Sequence, residues 1–138
     1  MGQIKELMTV KPRTVKQGDS IVDAAKLMKG EDTGIAPIVD GDQRLVGVVT
    51  DRDIAIRVVA EGRDPQTTKV EEIASQNLVT IDPQQELDEA LRLMAEHQVR
   101  RLPVVEEDGK LVGIVAQADV ARHSSPERTG KVVEEISE

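Results

Sequence analysis

The sequence predicts an α+β fold in which one βαββα unit of about 50 residues is used twice, the two copies packing sheet to sheet around a pseudo-twofold axis. Three observations carry that prediction. The chain contains a gapless internal repeat. Each copy shows the same alternation of strand-like and helix-like segments. The 138 residues, 38% of them hydrophobic, suffice for one shared core, whereas a single copy is too small to cover its own sheet face.

The repeat sits at a constant offset of 66 residues, so that VGVVTDRDI, Val46 to Ile54, falls on VGIVAQADV, Val112 to Val120. Between Ile4–Ala55 and Val70–Ala121 the identities include Thr14 with Thr80, Ala24 with Ala90, Leu27-Met28 with Leu93-Met94, Pro37 with Pro103 and Asp53 with Asp119. Most other apolar positions match in type. The chain therefore divides into repeat 1 (residues 1–62), a polar linker (63–69), repeat 2 (70–123) and a polar tail (124–138) with little to bury.

In repeat 1, Arg13-Thr14-Val15 reads as a short strand. Asp19 and Ser20 offer caps to a helix, IVDAAKLMKG, whose apolar residues recur at helical spacing and which Gly30 is expected to close. Ala36 to Val39 and Leu45 to Val49 are strands joined by the tight turn DGDQ, hence a hairpin. Thr50 or Asp51 caps a last helix, IAIRVVAE, that stops at Gly62. Repeat 2 follows the same order with VTI, ELDEALRLMAEH, LPVVEEDGKLVGIV and a helix beginning near Gln117.

Composition removes several classes of function. The longest apolar runs are four or five residues against the about 20 a membrane span needs, and the N-terminus lacks the order of a secretory signal. A cytoplasmic location is the expectation, and the absence of Cys rules out thiol and disulfide chemistry. A formal charge of −8 opposes phosphate-backbone binding, and the absence of Phe, Tyr and Trp removes stacking platforms, so no nucleic acid is expected. His97 and His123 lack ligand spacing and Asp51 with Asp53 is an ordinary pair of helix-start acids, so no metal is expected. Ser124 and Ser125 lack a nucleophile's strand-turn-helix setting, and no acid, base and nucleophile converge. The chain does not read as an enzyme, and no catalytic residue is assigned.

The stretch Gly47 to Asp53 carries more chemistry. Gly47 permits close backbone approach, and Thr50 ends a strand where helix N-terminal amides are unpaired and attract an anion. Three residues on, the Asp53 carboxylate can accept hydrogen bonds from both hydroxyls of a ribose. The competing role is structural: Thr50 as an N-cap and Asp53 as a first-turn carboxylate, each worth about 1 kcal/mol. For Asp119, which follows Ala116 rather than a Thr, the cap is the expected role.

The strand order, the second strands IAPIV and RLPVV, and the run G-V-V-T-D-R-D resemble tandem CBS domains, closest to small stand-alone bacterial CBS-pair proteins of the hypoxic or stress-response type. The resemblance spans about residues 1–123. It implies a regulatory ligand, AMP, ADP or ATP, in the cleft between repeats, with Asp53 on the ribose, Thr50 near ribose and phosphate, and Gly47, Asp51, Pro103 and Asp119 lining the sites. It also implies that Arg100 and Arg101 reach phosphates at the Thr50 site, where repeat 1 has only Gly34 and Ile35. No cofactor beyond that ligand is expected. The partners implied are an adenine nucleotide, a second copy in a homodimer and a regulated protein that the sequence does not name. The alternative is a ligand-free homodimeric interaction or stress-response scaffold.

Overall fold

A computed structural model describes residues 2–75 and 78–123; the expectation of a polar tail, with Ser124 and Ser125, lies outside the described residues. The order is a 3-10 turn (Ile4–Glu6), β1 (Thr9–Val10), β2 (Val15–Lys16), α1 (Ile21–Glu31), β3 (Ile35–Val39), β4 (Leu45–Thr50) and α2 (Asp51–Ile54), which runs on as a π-helical turn over Ala55–Val59. There follow α3 (Val70–Ile73), α4 (Leu87–His97), β5 (Arg101–Val105), β6 (Leu111–Ala116) and α5 (Gln117–Ala121). Two three-stranded sheets result, ordered β1-β6-β5 and β2-β3-β4.

The compact units do not coincide with the sequence repeats. One lies within Arg13–Leu78, and the other joins the stretch before Arg13 to the chain from Val79 onward. The opening segment of each repeat is thus folded into the unit that holds the body of the other. Thr9 in β1 pairs with Ile114 of β6, and at the equivalent place Ser75 bridges Val48 of β4. The segment expected as a linker is likewise bound into its unit. Thr68 and Pro65 accept from the Ile21 and Val22 amides at 3.0 and 3.2 Å, satisfying first-turn donors that α1 cannot satisfy itself.

Both hairpins form as expected. The Asp40 carboxylate closes the first turn by accepting from the amides of Asp42 and Arg44 at 2.8 and 3.0 Å, and these backbone donors hold its pKa below the ordinary value. α1 is capped by Ser20, whose hydroxyl accepts from Asp23 N–H while the Asp23 carboxylate accepts from Ser20 N–H. Its end departs from expectation. Gly30 lies inside the helix, and Asp32 adopts the left-handed conformation that terminates it (φ 50°), as Gln98 does after α4 (φ 53°). Nor does VTI form a strand; Ile81 makes only an isolated parallel bridge to Val104.

Each unit has its own core. Val15, Ile21, Ala24, Leu27, Ile38, Val49 and Val58 belong to one, which also takes in Val70 and Ile73 from the start of repeat 2. Leu87, Ala90, Leu91, Met94, Leu102, Val104, Val115 and Val120 form the other around Ile4.

Candidate functional site

Thr50 ends β4 opposite Ile35, and its side chain caps α2. The Thr50 hydroxyl accepts from Asp53 N–H at 3.1 Å, and the Asp53 Oδ2 accepts from Thr50 N–H at 2.9 Å. The two residues expected to grip a ligand therefore first grip each other, as a reciprocal capping box. That role does not exhaust them. A threonine hydroxyl has one proton to donate besides its acceptor lone pairs, and a carboxylate has a second oxygen. Among the described residues no further partner is recorded for either, and no ion pair involves Asp53.

The amides at the start of α2 are differently placed from the sequence expectation. Asp51 N–H donates to Gly34 O at 2.9 Å, Arg52 N–H to Asp51 Oδ1 at 2.8 Å, and Asp53 N–H to Thr50. None of the three is left for a phosphate, and the positive end of this turn already faces two carboxylates. A group able to donate, such as a sugar hydroxyl, fits here better than an anion does.

Gly47 backs closely onto its own chain. A Cβ there would stand 3.3 Å from the Ala74 Cβ and 3.4 Å from Ser75 O. The close approach that this glycine permits is taken by the chain itself at residues 74–75. Gly34 is a second tight place: its Cα backs onto Asp51, where an added Cβ would fall 2.8 Å from Oδ2. The sequence reading gave Gly34 no role, and its signal was the mismatch with Arg100 at the same repeat position.

Gly47, Thr50, Asp51 and Asp53 are thus brought together in one unit. Arg100, Arg101, Pro103 and Asp119 lie together in the other. There Arg100 O accepts from Gln117 N–H at 2.7 Å, Arg101 pairs with Ala116, and Pro103 with Ile114. Ala116 supplies no side-chain cap, so Asp119 closes no box. Its carboxylate pairs instead with Arg122, one turn further along the same stretch.

A profile of the CBS domain matches residues 4–60 and 70–125. CBS domain-containing protein YhcV of Bacillus subtilis is 44% identical over 138 residues, covering 99% of this chain and 96% of that protein. Hypoxic response protein 1 of Mycobacterium tuberculosis is 41% identical over 123 residues, or 89% and 85% of the two chains. A crystal structure of Hypoxic Response Protein I with two coordinated zinc ions superposes with a TM-score of 0.82 at 40% identity, covering 90% of this chain and 100% of that one. Among the described residues here, no three His, Cys, Asp or Glu side chains group as metal ligands. CBSX2 in complex with AMP superposes at 0.77 with 28% identity, covering 89% and 96%.

Proposed function

The chain belongs to the CBS-domain family as a tandem pair, and from that premise we propose that it is a regulatory protein that binds an adenine nucleotide, AMP foremost, through Thr50 and Asp53 and signals its occupancy to a partner. The observation that carries this reading is the capping box itself. It fixes both side chains by backbone bonds and leaves one carboxylate oxygen and one hydroxyl proton for a ligand. Asp53 Oδ1 accepts from the ribose hydroxyls, and the Thr50 hydroxyl donates to a neighbouring ligand oxygen. The AMP complex of CBSX2 supports the choice of ligand. The filled amides of α2 argue that this turn recognises the nucleoside part, so that added phosphates gain nothing from it. No helix among the described residues is long and apolar enough to cross a membrane.

The decisive variant is Asp53→Asn, which keeps a carbonyl oxygen for the Thr50 amide but loses the second acceptor. A hydrogen bond to a charged group is worth about 1.5–3 kcal/mol, so AMP affinity measured by calorimetry should fall roughly ten- to hundredfold while the melting temperature holds. Unchanged affinity in the folded variant contradicts the assignment. A second reading, a homodimeric scaffold with no ligand, is favoured by Ile56 and Val59. These large apolar side chains are 46% and 69% exposed, one turn apart on the segment that follows α2, and form a small apolar face for a second copy to cover. Thermal melts with millimolar AMP, ADP and ATP separate the two: a ligand at 100 times its Kd adds about 2.7 kcal/mol, and a scaffold shows no shift.

A further inference from the structure

The helix that opens on Thr50 changes character after one turn. Across Ala55–Val59 its hydrogen bonds widen to the i+5 pattern: Ala60 N–H donates to Ala55 O, and just beyond Arg63 N–H donates to Val58 O, both at 2.9 Å. Such wide turns are rare, and here it coincides with an unusual destination for one side chain. Arg57, four residues after Asp53, does not turn back toward that carboxylate; its Nη1 donates to Ile73 O at 2.7 Å. Ile73 is the last residue of the short α3, whose terminal carbonyls have no partner within the helix, so a cation there meets both an orphan acceptor and the negative end of the helix.

The segment so held is tied to the candidate site twice. Ser75 N–H donates to Val48 O at 3.0 Å, and Val48 N–H donates to Ser75 O at 3.2 Å, on the strand that ends at Thr50. A second arginine, Arg63, pairs with Glu72 at 2.6 Å. Residues 70–75 are thus clasped by the helix and the strand that carry Asp53 and Thr50, and they lead the chain on toward the other unit.

Building on the ligand reading above, we infer that Arg57 is a positioning residue: its bond to Ile73 ties the helix to residues 73–75, so that a ligand ordering the Thr50–Asp53 turn is felt at Ser75. The Arg57 side chain touches no ligand in this account; it acts through the helix and α3.

Amide hydrogen exchange on the full chain, with and without saturating AMP, tests this alongside calorimetry for AMP affinity. In the unsubstituted protein AMP should slow exchange of the Ser75 amide at least fivefold. Arg57→Ala should still bind AMP, with affinity no more than about tenfold weaker, yet lose most of that slowing. Arg57→Lys, which can still reach one carbonyl, should restore it. A role confined to capping α3 would raise basal exchange near Ile73 in Arg57→Ala but leave the AMP-dependent change intact, and that result overturns the inference. So does AMP binding to the unsubstituted protein with no change at Ser75. Absence of any AMP binding by the unsubstituted protein is a different failure: it sinks the ligand reading, and this inference with it.

Discussion

The turns Thr50–Asp53 and Ala116–Asp119 hold matching places in one repeat, and the same aspartate ends both. In the first the aspartate closes a box with a threonine and keeps an oxygen to spare. In the second the threonine is an alanine, and one carboxylate oxygen is taken by Arg122 on its own helical stretch. The surrounding residues have exchanged accordingly. Where the second turn has Arg122 the first has Ile56, and an arginine stands one place later, at Arg57, with its head on Ile73. A repeated frame thus carries two different electrostatic surroundings. Each carboxylate keeps one oxygen free of a recorded partner, but its other oxygen meets a backbone amide in the first turn and a guanidinium in the second. The lesson is that a motif aspartate reads as a ligand site only together with what the following turn does with its cations.

The comparison breaks most visibly in the cores. Leu27 and Leu93 are the same residue at the same repeat position, yet Leu27 is 3% exposed while Leu93 only packs partly buried against its cluster. α4 buries Leu91 instead, where α1 has the exposed Ala25. Leu27→Ala should cost about 2–5 kcal/mol in urea denaturation and Leu93→Ala less than half of that. Equal costs would show that the two helices present the same face.

A smaller effect sharpens the contrast between the turns. Ala116→Thr supplies the missing cap beside an aspartate already three residues on, and should stabilise the chain by roughly 0.5–1 kcal/mol, since the exposed Asp119–Arg122 pair that must yield is worth little. Thr50→Ala should lose about 1 kcal/mol for the same reason. If Ala116→Thr is neutral or destabilising, Asp119 does not turn back to form a box.

The smallest effect is on pH. The Lys69 amide donates to the Glu72 carboxylate, and the Arg63 guanidinium pairs with it, which together hold its pKa below the ordinary 4.5. A carboxyl depressed on folding stabilises the native state above its unfolded pKa, and that contribution drains as pH falls through the folded value. The Arg63–Glu72 contact should therefore be intact at pH 7 and weaken below about pH 4.5. Carboxyl chemical shifts across pH 2–7 should report a Glu72 midpoint below the ordinary 4.5; a midpoint at the ordinary value would remove the clasp.

Much of this was legible in the sequence because it is local. The repeat, the hairpin turn at Asp40 and the caps at Ser20 and Thr50 each follow from residue chemistry within a few positions. What escaped was set at longer range. Nothing in Thr9-Val10 or Ala74-Ser75 says which sheet edge it will join, since the local pattern is the same whichever unit receives the segment. For that reason Gly47, which makes room for Ala74 and Ser75, was read as making room for a ligand. Gly30 was read as a helix end because glycine favours the left-handed conformation, but Asp32 adopts it instead and Gly30 sits against Arg13. The π turn has no sequence signature. It shows in the i+5 hydrogen bonds of Ala60 and Arg63.

The central claim is that one turn of the two holds a ligand, and counting sites tests it most directly. Calorimetric titration of the full chain with AMP, repeated on Asp53→Asn and Asp119→Asn, should give one AMP per chain, lost or weakened at least tenfold in Asp53→Asn and unchanged within about twofold in Asp119→Asn. Two equivalent AMP molecules per chain, or loss of binding in Asp119→Asn with Asp53→Asn unaffected, would contradict the account.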